Sequence, residues 1–145
     1  MKKFLKIALI LAIAGLIGAF LVWKFYINKP KTDVLSEKAD FELSAADLFN
    51  AYASSDSVLI EKYTDRIIQL TGKADTVEIL DSLVNVLFVF GNDEFGKSGV
   101  RCSMLSGSEN ELKSVDRSKI IVIKGINKGY NGSDVIIESA VLINR

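Results

Sequence analysis

A mainly β domain, a five-stranded barrel preceded by a helix and following a single hydrophobic N-terminal helix, is the fold that three features of this sequence predict. The first is residues 66–80, RIIQLTGKADTVEIL, which alternate like a strand and then slip phase. Apolar or small residues fall at Ile68, Leu70, Gly72 and Ala74 and then at Val77 and Ile79, so one extra residue interrupts the period of two. A bulged, bent strand of this kind faces one sheet with its first half and another with its second, as the first strand of a small closed barrel must. The second feature is the four strand-like runs that follow, with a weakly helical stretch between two of them. The third is an uncharged run from Ile7 to Trp23.

That run opens the chain after MKKFLK and continues past Lys24 into Phe25-Tyr26-Ile27. It is about the length a helix needs to cross roughly 30 Å of hydrocarbon, so residues 1–27 are expected to form one transmembrane helix. Trp23, Phe25 and Tyr26 fall where an interfacial aromatic belt would lie, with Lys24 able to snorkel. A cleaved signal peptide is the rival reading, since the Lys-rich start resembles an n-region. The run ends in Phe20-Leu21-Val22-Trp23, which offers neither a small-x-small cleavage site nor a Cys for a lipoprotein anchor. An uncleaved signal anchor is therefore expected. Lys2, Lys3 and Lys6 oppose Lys24, Lys29, Lys31 and Lys38 across the span, close to a tie on the positive-inside count. A very short basic N-terminus usually stays in the cytoplasm, which places the domain on the periplasmic side of the inner membrane. The small-xxx-small pairs Ala14/Gly18 and Gly15/Ala19 arise easily by chance in so Ala- and Gly-rich a segment.

Residues 28–40 carry the only Pro and little apolar periodicity, and read as a linker before a domain over 41–145. Leu43-Ser44-Ala45-Ala46-Asp47-Leu48 carries helix-start chemistry: Ser44 as cap, Asp47 completing an acidic capping box, Leu43 and Leu48 as a staple. Leu48, Phe49 and Tyr52 share a face until Ser54-Ser55-Asp56-Ser57 interrupts, and a second helical turn follows through Leu59, Ile60 and Tyr63. This helix is expected to lie as a lid over one end of the barrel. The second strand is expected at Leu83–Phe90, apolar in both phases. Gly91 to Gly99 reads as a turn, and Val100, Cys102 and Met104 as the inward phase of a short third strand. A connecting helix is expected within Ser108–Val115, then strands at Lys119–Ile126 and Asp134–Ile143 joined by a loop at 127–133. Five strands with a helix between the third and fourth, and a curved first strand, match the OB-fold, a partly open Greek-key barrel.

Charge and residue types then narrow the function. Residues 1–31 hold six Lys and no acid, whereas 32–145 hold 12 basic against 18 acidic residues, a net charge of −6. An acidic domain repels phosphate backbones and anionic lipid at long range. The chain has no His, the commonest general base and metal ligand. Its one Cys, Cys102, lies in an inward phase with no His to activate it, and reads as a buried thiol. The acidic pairs Asp93/Glu94 and Glu109/Glu111 have no supporting base, phosphate loop or metal-ligand spacing. A protein that is not an enzyme and takes no cofactor or metal is expected.

The runs AADLFNAY, KYTDRIIQLTGKADTV, GVRCSM and IIVIKGINKGYNGSDVIIESAVL resemble the tRNA-anti-like group of bacterial OB-fold proteins over residues 40–145. The telling pieces are Tyr63 with Leu70-Thr71-Gly72, and Lys124-Gly125 through Gly129-Tyr130 to Asp134-Val135. The resemblance implies a barrel and, in many members, an N-terminal anchor or lipoprotein signal, but no agreed activity. OB-folds bind oligonucleotides or oligosaccharides on the face of strands two and three and the adjoining loops. Arg101 and Ser103 from strand three, and Lys124, Lys128, Tyr130 and Asn131 from the last hairpin, are the expected binding residues. Asn131-Gly132-Ser133 matches a glycosylation sequon, although Asn-Gly is better explained as a turn. The leading expectation is a membrane-anchored binding or scaffolding module for an envelope protein or glycan-type ligand. The alternative is single-stranded nucleic-acid binding through Arg101, Lys124, Lys128 and Tyr130. Three cations and one Tyr make a thin platform for it.

Overall fold

The computed structural model describes residues 2–24, 33–81, 83–94, 96–116 and 118–143, and of residues 2, 3, 5, 8–10 and 93 only the backbone. Two compact units result, 1–32 and 33–145.

In the first unit, helix α1 runs over Lys2–Val22. At about 1.5 Å per residue its 21 residues extend about 31 Å. Every described side chain on it is exposed, on all sides, including Leu11, Ile13, Leu16, Ile17 and Phe20. The Phe20 and Trp23 rings lie 6.2 Å apart. Counted over the described residues alone, no helix is long and apolar enough to cross a membrane. The single transmembrane helix expected over residues 1–27 is thus not supported by the described residues. Phe25 and Tyr26, expected at the interface, and residues 28–32 of the expected linker lie outside the described residues.

The second unit is a mainly β barrel. Its elements are β1 (Phe41–Ser44), α2 (Ala45–Ala53), α3 (Ser57–Tyr63), β2 (Ile67–Lys73), β3 (Thr76–Leu80), β4 (Leu83–Asp93), β5 (Gly96–Met104), α4 (Glu109–Lys113), β6 (Ile120–Tyr130) and β7 (Asp134–Leu142). They form one seven-stranded sheet in the order β1-β2-β6-β7-β5-β4-β3. β2 and β3 are the two halves of the bent first strand, parted at Ala74 and Asp75, where the sequence slips phase. Because β2 pairs with β6 and β3 with β4, the sheet closes on itself through that bend. The remaining pairings, antiparallel β4–β5 and β6–β7 and parallel β5–β7, complete the five-stranded connectivity of an OB barrel. β1 is an addition, parallel to β2. Asp75 latches the bend: its amide donates to the Leu87 carbonyl and its carboxylate accepts from the Val89 amide at 2.8 Å.

Inward residues follow the expected phases. Ile68, Leu70, Val86, Phe88, Val100, Cys102, Ile123 and Ile137 are fully buried. Helix α2 begins as its residues dictate: Ser44 Oγ accepts from the Asp47 amide at 3.0 Å and bonds the Asp47 carboxylate at 2.7 Å. Asp56 starts α3 by accepting from the amides of Val58 and Leu59. The helices bury Leu48 and Tyr52 against the strands. Leu112 of α4 is buried in the same core.

Three expectations are corrected. Gly91–Gly99 is mostly strand, not a turn: Asn92 pairs with Lys97 and Asp93 with Gly96, whose φ of +120° supplies the tight reversal. Turn-type composition misleads here because the two buried positions of the second arm are the small residues Ser98 and Gly99, which carry no apolar alternation. A register shift at Val89/Gly91 accompanies Phe90's outward turn, against Phe49 at 5.7 Å between ring centroids. Likewise β6 continues to Tyr130, shortening the expected 127–133 loop to a turn at 131–133, with a bulge between Asn127 and Gly129. Finally, residues 33–40 are not free linker. Val34 is buried beside Ile67 and Val141, and the Asp40 carboxylate accepts from the Ile67 amide at 2.9 Å.

Candidate binding face and cleft

Strands β4 and β5 form the wall on which OB barrels carry ligands, and alternation decides what it shows. Leu87 stands opposite Arg101, and Asn85 opposite Ser103; across the next ladders Glu78 faces Asn85, and Ile136 faces Arg101. Arg101 Nε donates to Asp134 at 3.0 Å and Nη1 to Glu78 at 3.2 Å. The other Asp134 oxygen accepts from the Gly99 amide at 3.0 Å, and Ser103 Oγ donates to Asn85 Oδ1 at 2.9 Å. A single guanidinium thus lies between two carboxylates, in a row running from β3 across to β7. The fork geometry of Arg suits this bridging task. Gly99 permits it locally: a Cβ there would overlap the Phe88 carbonyl oxygen.

The last hairpin behaves differently from the expectation. Lys124 is buried, and its ammonium donates to the carbonyls of Glu37 at 2.8 Å and Leu35 at 3.4 Å. It ties the entering chain to the barrel instead of facing a ligand. Lys128 lies at the surface, 2.8 Å from the Asp65 carboxylate. Tyr130 is half-exposed with its ring 6.2 Å from that of Tyr52. Asn131 Oδ1 accepts from the amides of Ser133 and Asp134, as the turn reading requires. Arg101 and Ser103 are therefore brought together on one wall, while Lys124, Lys128, Tyr130 and Asn131 are distributed over a different ladder and its turn. Glu78, Asn85 and Asp134 were missed as partners; their polar phase was visible, but pairing across strands depends on register. At the interface expected for the anchor, Trp23 and Lys24 are exposed.

A second feature had no sequence signal beyond a polar stretch after strand three. A cleft of about 510 Å³ opens between Asn110, Ser114 and Asp116 on one side and Lys119, Ile120 and Leu142 on the other. Hydrogen bonds from the Ser118 hydroxyl and amide hold the Asp116 carboxyl below its ordinary value. Burial pushes the Cys102 thiol far up, so it stays protonated and unreactive. Among the described residues no group of three or more His, Cys, Asp or Glu side chains could hold a metal ion.

No curated protein matches the chain. The model of the tRNA_anti-like family matches residues 1–141, nearly the whole length and including the N-terminal helix. With that match and the barrel connectivity, the chain belongs to the tRNA_anti-like family of OB-fold proteins.

Proposed function

We propose that this protein is a membrane-anchored OB-fold module that binds, without catalysis, an envelope protein or glycan-type ligand on the extracytoplasmic side. The observation that carries the anchor is α1 itself: from Ile7 to Val22 its sequence is uncharged on every side, and its described side chains are all exposed. A helix of that kind is stable only when buried in protein or in hydrocarbon. Among the described residues, the 33–145 unit builds its core from its own strands and helices.

The wall of β4 and β5 supports the ligand class. The Ser103–Asn85 hydrogen bond fixes both side chains, and the donors and acceptor that this bond leaves over form a preset surface for a neutral polar partner. Single-stranded nucleic acid is the less favoured ligand. Arg101 and Lys128 are each engaged by carboxylates, and Lys124 by backbone carbonyls, so the three cations are not presented to phosphates.

Photo-crosslinking from position 85 in intact membranes tests this reading. A discrete crosslinked envelope protein or glycan, lost when Ser103→Arg blocks the wall, is the expected result. Crosslinks to nucleic acid, or crosslinks unchanged by Ser103→Arg, would count against it.

A further inference from the structure

β3 stands at the end of the strand order, and among the described residues it is hydrogen-bonded to β4 alone, with Thr76 opposite Leu87 and Leu80 opposite Leu83. A strand paired on one side turns the N–H and C=O groups of every second residue away from the sheet. Folded proteins blunt such edges with Lys, Pro, a bulge, a very short strand or a covering segment. β1, at the other end of the order, has two of these devices. It is only four residues long, and Lys62 reaches it from α3, its ammonium 5.1 Å from the centre of the Phe41 ring. β3 carries no Lys, no Pro and no bulge, its register against β4 is unbroken, and three of its five residues are β-branched. Its one charged side chain, Glu78, is directed back across β4 to Arg101 of β5, at 3.2 Å, and so does not guard the edge.

The two phases of β3 say what an added strand would meet. Val77 and Ile79 belong to the inner phase; Val77 packs against the core, whereas Ile79 is still 38% exposed. An inner-phase Ile open to water marks a place where the inner layer of the barrel stops without a neighbour. Charge then selects among strands. Residues 74–85 hold Asp75, Glu78 and Asp81 and no base, so a segment lying along β3 is favoured when it carries Lys or Arg. A second copy of this chain is disfavoured by the same rule. The antiparallel register that pairs all five residues, Thr76 with Leu80 and Val77 with Ile79, sets Glu78 directly against Glu78.

We propose that the free edge of β3 accepts an extended segment of a partner protein as a further strand of the sheet. Main-chain hydrogen bonds to residues 76–80 hold it, an apolar residue covers Ile79, and basic residues run along Asp75, Glu78 and Asp81. This edge reads backbone and alternation, whereas the wall of β4 and β5 reads side-chain hydrogen bonds. The inference goes beyond the preceding section and depends neither on the anchor nor on the side of the membrane.

Amide exchange of the full chain in a non-ionic detergent tests this, with a synthetic peptide of alternating Lys and Val as the probe. The expected result is saturable binding that slows exchange within residues 76–80 several-fold and leaves β1 unchanged. The same peptide N-methylated at two consecutive central residues keeps its charges but has both of its edges blocked, and should bind several-fold more weakly. Ile79→Lys, which places a guarding charge at a partly exposed position, should weaken binding likewise while the β4–β5 ladder stays protected. Equal binding of the N-methylated peptide reduces the effect to charge attraction and overturns the strand addition. Unchanged binding by Ile79→Lys, no saturable binding at millimolar peptide, or protection at Asn85 and Ser103 without residues 76–80 overturns it too. Protection of residues 76–80 that rises with the concentration of the chain itself, before peptide is added, assigns the edge to a second copy and overturns the partner proposal.

Discussion

Every polar atom of the Asn127 side chain is used. Its amide nitrogen donates to the Tyr52 hydroxyl at 2.8 Å and the Tyr63 carbonyl at 2.9 Å, and its oxygen accepts from the Gly129 amide at 3.0 Å. Tyr52 in turn bonds Thr64 Oγ1 at 2.9 Å, so one buried residue of β6 holds α2 and α3 to the barrel. Asn127→Ala leaves several of these groups buried without partners. It is expected to lower stability by about 2–3 kcal/mol, measured as a lower urea midpoint at an unchanged slope. Gly99→Ala, whose methyl would meet the Phe88 carbonyl, should cost about 1–3 kcal/mol in the same assay. Sequence alone read Asn127 as the first residue of a loop, because nothing local distinguishes an Asn that turns inward at a bulge from one in a turn. Acid acts on a different pair of residues. Asp33 is held below its ordinary 3.8, first by the Ser36 hydroxyl and then by the Leu35 amide, and Asp116 likewise by Ser118. A lowered folded value means that their contribution is complete above pH 3.8 and is lost as pH falls below 3.8 through the lower folded value. Carboxyl chemical shifts should therefore give midpoints below 3.8 for both, and a midpoint at or above 3.8 would contradict the hydrogen-bonded turns.

At the scale of elements, the entering segment shows how far a pattern can be read. The bend at Asp75, the Ser44 cap, the inward phases of β2 and β5 and the short helix α4 were legible, because each follows from local spacing. The docking of residues 33–40 was not. Val34 is a single apolar residue without periodicity, and Lys124 sits in an outward phase that looks solvated until another segment is known to cover it. Lys124→Met keeps much of the stem's packing and removes both donors to Leu35 and Glu37. Faster amide exchange over residues 34–37 is expected, with the β6–β7 ladder still protected. Equal protection of 34–37 in the variant would show that Val34 alone holds the segment. The wall residues tell the same story: Arg101 and Ser103 were visible as the polar phase of a strand. Their partners Glu78, Asp134 and Asn85 come from three other strands, and only register brings them there.

The whole molecule pairs a helix uncharged from Ile7 to Val22 with a barrel that has its own core. The wall between Glu78 and Asp134 is a preset polar surface, and Arg101→Ala should alter ligand capture more than fold. Loss of the guanidinium leaves Asp134 its bond from Gly99, so a modest stability loss of about 1–2 kcal/mol is expected for a partly exposed pair. Protease protection in cells with a permeabilised outer barrier and a sealed inner membrane tests the proposed anchor and orientation. The barrel should be digested from outside while a short fragment containing α1 survives until the membrane is dissolved. Protection of the whole chain until lysis, in a sample shown to be cleavable once exposed, would contradict the orientation, and digestion that leaves no protected fragment would contradict the anchor.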